Sequence, residues 1–324
     1  MFFKVIFSVF ALLLSSTAWA QPKVVVSVKP VHSLVAGVLD GIGEAELLLS
    51  GGESPHSYAL RPSQARALAA ADLVFWVGPD LETFLTRALR SLSADARVVR
   101  LSEAPGLELL PMRSGGVWDA HDHDHGHGHG HGHEHASDSH GHAKKHQQEG
   151  GSDPHLWLDP GNAQAIVAIA LAELQKLFPE QRERLAANAA QLTERLAVLD
   201  AELGRQLAPV REMPFVVFHD AYQYLEQRYG LNSVGSISLN PERTPGAQRV
   251  REVQRLIRER GARCVFAEPQ FTPRLVDTVM QGSGARLGVL DPLGAELVQG
   301  PDAYFALMTA LGENLRACLD PDGP

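Results

Sequence analysis

Histidine is the residue type in this chain with the most chemistry to offer. Eleven of its fifteen histidines fall between Trp118 and Glu149, in a run reading HDHDHGHGHGHGHEH and then HGHAKKH. Neutral imidazole nitrogens suit zinc, copper and nickel ions. An alternating His-Gly/Asp tract, however, has too few apolar side chains to pack a core. Such a tract gathers a metal weakly, because only a folded constellation holds one in fixed geometry. The four remaining histidines, His32, His56, His155 and His219, stand in ordinary globular sequence. They are the ones that could form such a constellation.

The elements that must position them follow from pattern. Lys23 to Val28 (KVVVSV), Leu47 to Leu49, Leu73 to Gly78 (LVFWVG) and Arg97 to Leu101 read as short strands. Helical stretches lie between them, at Leu34 to Leu39, Arg61 to Ala71 and Leu81 to Leu89. A helix is expected over Ala163 to Phe178, and Pro179 opens another. Leu185, Leu192, Leu196, Leu199, Leu203 and Leu207 then form one amphipathic stripe on a rod about 40 Å long. Strands and helices alternate again after Pro209, with strands at Phe215 to Phe218, Ser233 to Ser238, Cys264 to Ala267 and Arg286 to Leu290. Apolar strands alternating with helices indicate an α/β fold with mostly parallel sheets flanked by helices. The expected organisation is an N-terminal α/β lobe over 21–178, containing a His-rich disordered loop at 118–150. A linking helix over 179–208 and a C-terminal α/β lobe over 209–324 complete it.

In open α/β sheets ligands bind beyond the carboxyl ends of strands. His219 directly follows the strand FVVF. His56 lies in the turn-rich GGESPH after the strand ending at Leu49, and His155 in the proline-bracketed DPHLWLDP. Three imidazoles converging there would make a nitrogen-rich, tetrahedral-leaning site suited to zinc over harder ions. A single loop histidine is more often a solvated or capping residue. His32 is placed with those, at the start of the first helix, with the cleft as its alternative.

Composition narrows the class. The chain of 324 residues has 44% hydrophobic content and a net charge of −9, with no Lys/Arg block that could track phosphates, so nucleic acid is not an expected partner. Residues 1–20 read as a cleaved secretory signal peptide: Lys4, an apolar run from Val5 to Leu14, then Ala18-Trp19-Ala20. The apolar run is too short to span a bilayer. Export would place Cys264 and Cys318, the two cysteines of the chain, in an oxidising compartment, where pairing is favoured over metal ligation.

Four stretches carry a family resemblance: SVKPVHSLVAGV; SPHSYALRPSQARALAAADLVFWVGPDLETFL; DPHLWLDPGNA; and CVFAEPQF together with LDPLG. They resemble the zinc-uptake ABC-transporter solute-binding proteins, the ZnuA family, within a wider group that includes manganese binders. The resemblance implies zinc ligation by His56, His155 and His219, where manganese-type relatives carry a carboxylate at the third position. It also implies a long helix that restrains the lobes, and a Cys264–Cys318 disulfide. Some members have a glutamate directly before the first ligand histidine, and here that position is Pro55. The fourth ligand is therefore expected to be water, with Asp291 second and Glu53 or Glu268 behind it.

The expected function is a free, monomeric periplasmic protein that captures Zn2+ in the cleft and delivers it to a membrane ABC permease. Affinity should fall as pH drops through the imidazole range near about 6.5. The tract from His121 to His146 would collect zinc weakly or sense it, unless it is a solvated spacer with incidental affinity. Three histidines and a water also make a catalytic zinc shell. A hydrolase is disfavoured because there is no HExxH and no carboxylate clearly placed as a base. A surface adhesin is disfavoured for want of an anchor.

Overall fold

The structure is a computed structural model that describes residues 21–93, 95–113, 118, 151–238 and 244–320. The expected signal peptide and the histidines of the 121–146 tract lie outside the described residues. Among the described residues, eight strands form two four-stranded sheets. The first has β1 (Val24–Val28), β2 (Ala45–Leu49), β3 (Leu73–Trp76) and β4 (Arg97–Arg100) in the order β2-β1-β3-β4. The second has β5 (Phe215–His219), β6 (Ser233–Ser238), β7 (Cys264–Ala267) and β8 (Arg286–Val289) in the order β6-β5-β7-β8. Every pairing in both sheets is parallel. All carboxyl ends of a sheet therefore emerge on one edge.

Strand residues alternate between faces, and the sorting is clean. Val24, Val26, Leu73, Phe75, Phe215, Val217 and Phe266 enter one continuous core, with α1 (Lys29–Val38), α4 (Pro160–Leu177), α5 (Arg182–Leu207) and α9 (Ala303–Leu319) between the sheets. Their neighbours Val25, Val74 and Trp76 pack outward against α2 (Pro62–Ala69) and α3 (Leu85–Leu92). Val216, Phe218 and Val265 do the same against α7 (Ala247–Arg260) and α8 (Pro273–Met280). Between β5 and β6, α6 (Gln223–Tyr229) makes the crossover.

The long helix α5 has 26 residues. Leu185, Leu192, Leu196, Leu203 and Leu207 of the stripe are buried, and Leu199 packs against the same core. Because α5 and α9 both touch α1, the spine is shared by the two lobes. A disulfide between Cys264 and Cys318 ties β7 to α9.

Among the boundaries that differ from the pattern-based expectation, two helix starts move most. Pro30 lies in the first turn of α1, which starts at Lys29 and not near Leu34. Helix α3 starts at Leu85 and not at Leu81, because the buried Glu82 carboxylate accepts the N–H groups of Val77 and Gly78 and folds the segment before it into a turn.

Candidate metal centre

The carboxyl edges of both sheets face the same region, and five strand exits supply it: β1 leads into Lys29, β2 into the His56 loop, β5 ends on His219, β7 leads into Glu268 and Gln270, and β8 into Asp291. His219 shares the parity of Phe215 and Val217, so strand alternation aims its ring at the facing lobe. His155 is set by an Asp-x-His turn in which the Asp153 carboxylate accepts both the backbone N–H (3.0 Å) and Nδ1–H (2.8 Å) of His155. Asp159 then caps α4 by accepting from Gly161 N (2.6 Å), with Pro160 in the first turn. Tyr224 holds the Asp153 end of this loop from α6, and Tyr304 holds Trp157 from α9.

The three rings meet. His155 Nε2 lies 3.4 Å from His56 Nε2 and 3.3 Å from His219 Nε2. Two nitrogens each 2.0–2.1 Å from one tetrahedral centre stand about 3.3–3.4 Å apart, so this is the spacing of ligands sharing a zinc-sized ion. The hydrogens point the same way. His219 Nδ1 donates to Glu268 Oε1 at 2.7 Å, as His155 Nδ1 does to Asp153. His155 and His219 thus carry their hydrogens on Nδ1 and turn a lone pair inward from Nε2. Lone pairs facing each other at such distances repel unless a cation lies between them. Carboxylates behind ligand imidazoles fix the tautomer and orientation in this way.

The surroundings keep His56 and His155 neutral, while His219 is pulled the other way. Burial, then the neighbouring rings, pushes His56 and His155 well below the usual imidazole range. At His219 burial acts in the same direction, but the charge and hydrogen bond of Glu268 outweigh it and the pKa is raised. Burial lifts Asp153 to about 7. Pro55, Phe271, Pro292 and Leu293 complete the walls of a small cavity beside the three rings.

His32 is not part of this group. It is buried in α1 with Nε2 against the Ala45 carbonyl (2.9 Å). Nor is Asp291 free to ligate, as the sequence had allowed. Its oxygens accept the N–H groups of Leu293, Gly294 and Ala295 and the amide of Gln270. Three of these donors share Oδ1 and the Ala295 N–H takes Oδ2, which ties the carboxylate to its own turn. Glu53 is turned to an ion pair with Arg61 at 2.7 Å. Glu268 serves as the support of His219.

The turn that begins at Asp291 fastens one lobe to the other. Lys29 Nζ, from the first lobe, donates to the carbonyls of Gly294 (2.5 Å), Ala295 (3.1 Å) and Leu297 (2.7 Å). Trp157 Nε1 donates to Pro292 O at 2.9 Å. Gly51, at φ +101°, presses on the same turn: a Cβ there would stand 3.2 Å from Ala295 Cα and 3.3 Å from Leu293 O. Sequence reasoning missed these contacts. It also missed the supports of His155 and His219, for which the one signal was a carboxylate two residues before His155 and another directly after β7.

The chain is similar to known proteins over most of its length. The family described as "ZnuA: Zinc-uptake complex component A periplasmic" matches residues 24–318. The high-affinity zinc uptake system protein ZnuA of Brucella abortus (strain 2308) is 45% identical over 313 residues, covering 94% of each chain. Its namesake from Yersinia pestis is 37% identical over 301 residues, covering 93% of this chain and 92% of its own. A crystal structure of ZnuA superposes with a TM-score of 0.74 at 22% identity, covering 93% of this chain and all of that one, a likeness of fold.

Proposed function

The chain belongs to the ZnuA family of periplasmic zinc-uptake components, and from that premise we propose that it captures Zn2+ between its lobes on His56, His155 and His219 and releases it to an ABC permease. The observation that carries the ligand assignment is the trio of ring nitrogens within 4.8 Å of one another, with His155 Nε2 at 3.4 and 3.3 Å from the other two. The fourth position belongs to a water. The nearest carboxylates, Asp153 and Glu268, orient ligand rings. Membership of a zinc-uptake family supports a binding protein over a hydrolase. No helix among the described residues is long and apolar enough to cross a membrane. The family match and the leader-like residues 1–20 support a place in the periplasm. The tract from His121 to His146 acts as a weak collector apart from this site.

Competitive titration with Zn, Mn, Cu and Ni, with a metal count per chain, tests the proposal on the mature protein and on a form lacking 121–146. One tight, zinc-preferring site should survive the deletion while the weaker ions are lost. Disappearance of the tight site with the tract would refute the assignment.

A further inference from the structure

Gln270 carries an unused group into the site. Its Nε2 donates to Asp291 Oδ1 at 2.7 Å and to Gly51 O at 3.1 Å. Both partners are acceptors, so the amide nitrogen must face them and the orientation of the amide is fixed. Oε1 is then turned the other way. It is buried without a hydrogen-bond partner, on a side chain that lines the same small cavity as His56, His155 and His219. An amide oxygen left unpaired in a buried place is costly, and what the cavity lacks is a donor.

We propose that Gln270 is the positioning residue of the metal site: Oε1 accepts a hydrogen from the water that completes the zinc shell, while Nε2 holds the His56 loop, through Gly51, against the Asp291 turn. One side chain thereby joins the presence of the ion to the contact between lobes. A bound cation polarises its water and makes it a stronger donor to Oε1. The filled site then favours the conformer in which Nε2 reaches both lobes. Emptying the site removes the donor and leaves the Gly51 contact as the weaker of two hydrogen bonds from one nitrogen. This inference rests on the three-histidine reading of the site and adds a role that the ligands themselves do not fill.

The test compares wild type with Gln270→Ala, Gln270→Leu and His219→Ala in the mature chain. Zinc affinity is measured by chelator competition, release by chelator chase, and the shell by the visible absorption of the Co2+-loaded protein. Gln270→Ala and Gln270→Leu should each keep one ion per chain, bind zinc about 10–100-fold more weakly, the range for outer-sphere partners of metal ligands, and release it faster. Both should also alter the Co2+ band, which a purely structural role in the apo fold would leave unchanged. Gln270→Leu keeps the side-chain bulk in case the alanine variant does not fold. Wild-type affinity, release and Co2+ spectrum in Gln270→Leu would overturn the proposal. If His219→Ala keeps the tight site, the underlying three-histidine reading fails instead, so the two failures are told apart.

Discussion

Glu268 illustrates what single residues do in this protein. Its Oε1 takes the Nδ1–H of His219 at 2.7 Å, so it decides which nitrogen of that ring faces the ion. Glu268→Ala should weaken zinc binding by about 10–100-fold with one ion per chain retained, measured by chelator competition. An unchanged affinity would mean that the ring is held by packing alone. Glu82 has a different role, far from the rings. It is fully buried, accepts from Ser27, Val77 and Gly78, and burial raises its pKa to about 7. A raised carboxyl pKa means that the folded state holds the proton more tightly than the unfolded chain. Its stabilising effect is complete below about 4.5 and is lost as pH rises through about 7, a change of about 3 kcal/mol. Relative to Glu82→Gln, wild-type stability to urea should therefore decline between pH 5 and pH 8. Parallel pH profiles would contradict this. That His56, His155 and His219 come together was anticipated from two strand exits and the proline-bracketed loop of His155. The partner of each carboxylate was not, because that depends on donors remote in sequence, such as the amides that occupy Asp291.

Among the elements, the turn after β8 matters most to the site. Lys29 satisfies three of its carbonyls from the other lobe. Lys29→Met should cost about 1–3 kcal/mol of apo stability by leaving buried acceptors unpaired, read as a lower urea midpoint. Stability equal to wild type would show that this cross-lobe contact is replaceable. The disulfide acts on the unfolded chain as well as on β7 and α9. Closing a loop with a sequence separation of 54 contributes about 4 kcal/mol on the chain-entropy view. Paired Cys264→Ser and Cys318→Ser substitutions should lower the thermal midpoint markedly, and an unchanged midpoint would contradict it. Strand positions and the α5 stripe were legible because period and parity are local properties. The late start of α3 was not, since Leu81 to Phe84 carry a helical pattern that the Glu82 side chain overrides.

At the scale of the whole molecule, two parallel sheets turn their carboxyl edges to one place while a shared spine of α1, α4, α5 and α9 limits how far they can separate. An α/β fold in two lobes followed from alternation along the chain. Their fusion into one core did not, since the apolar face of α9 has no mark in sequence to say that it packs on α1. The arrangement gives an ion site assembled from both lobes, with His56 and His155 from the first and His219 from the second. Diffraction from zinc-loaded crystals at the zinc absorption edge tests this most directly. The account predicts a single strong anomalous peak in the cleft, 2.0–2.1 Å from Nε2 of His56, His155 and His219. A cleft without that peak, or a peak bound to fewer than these three rings, would contradict it.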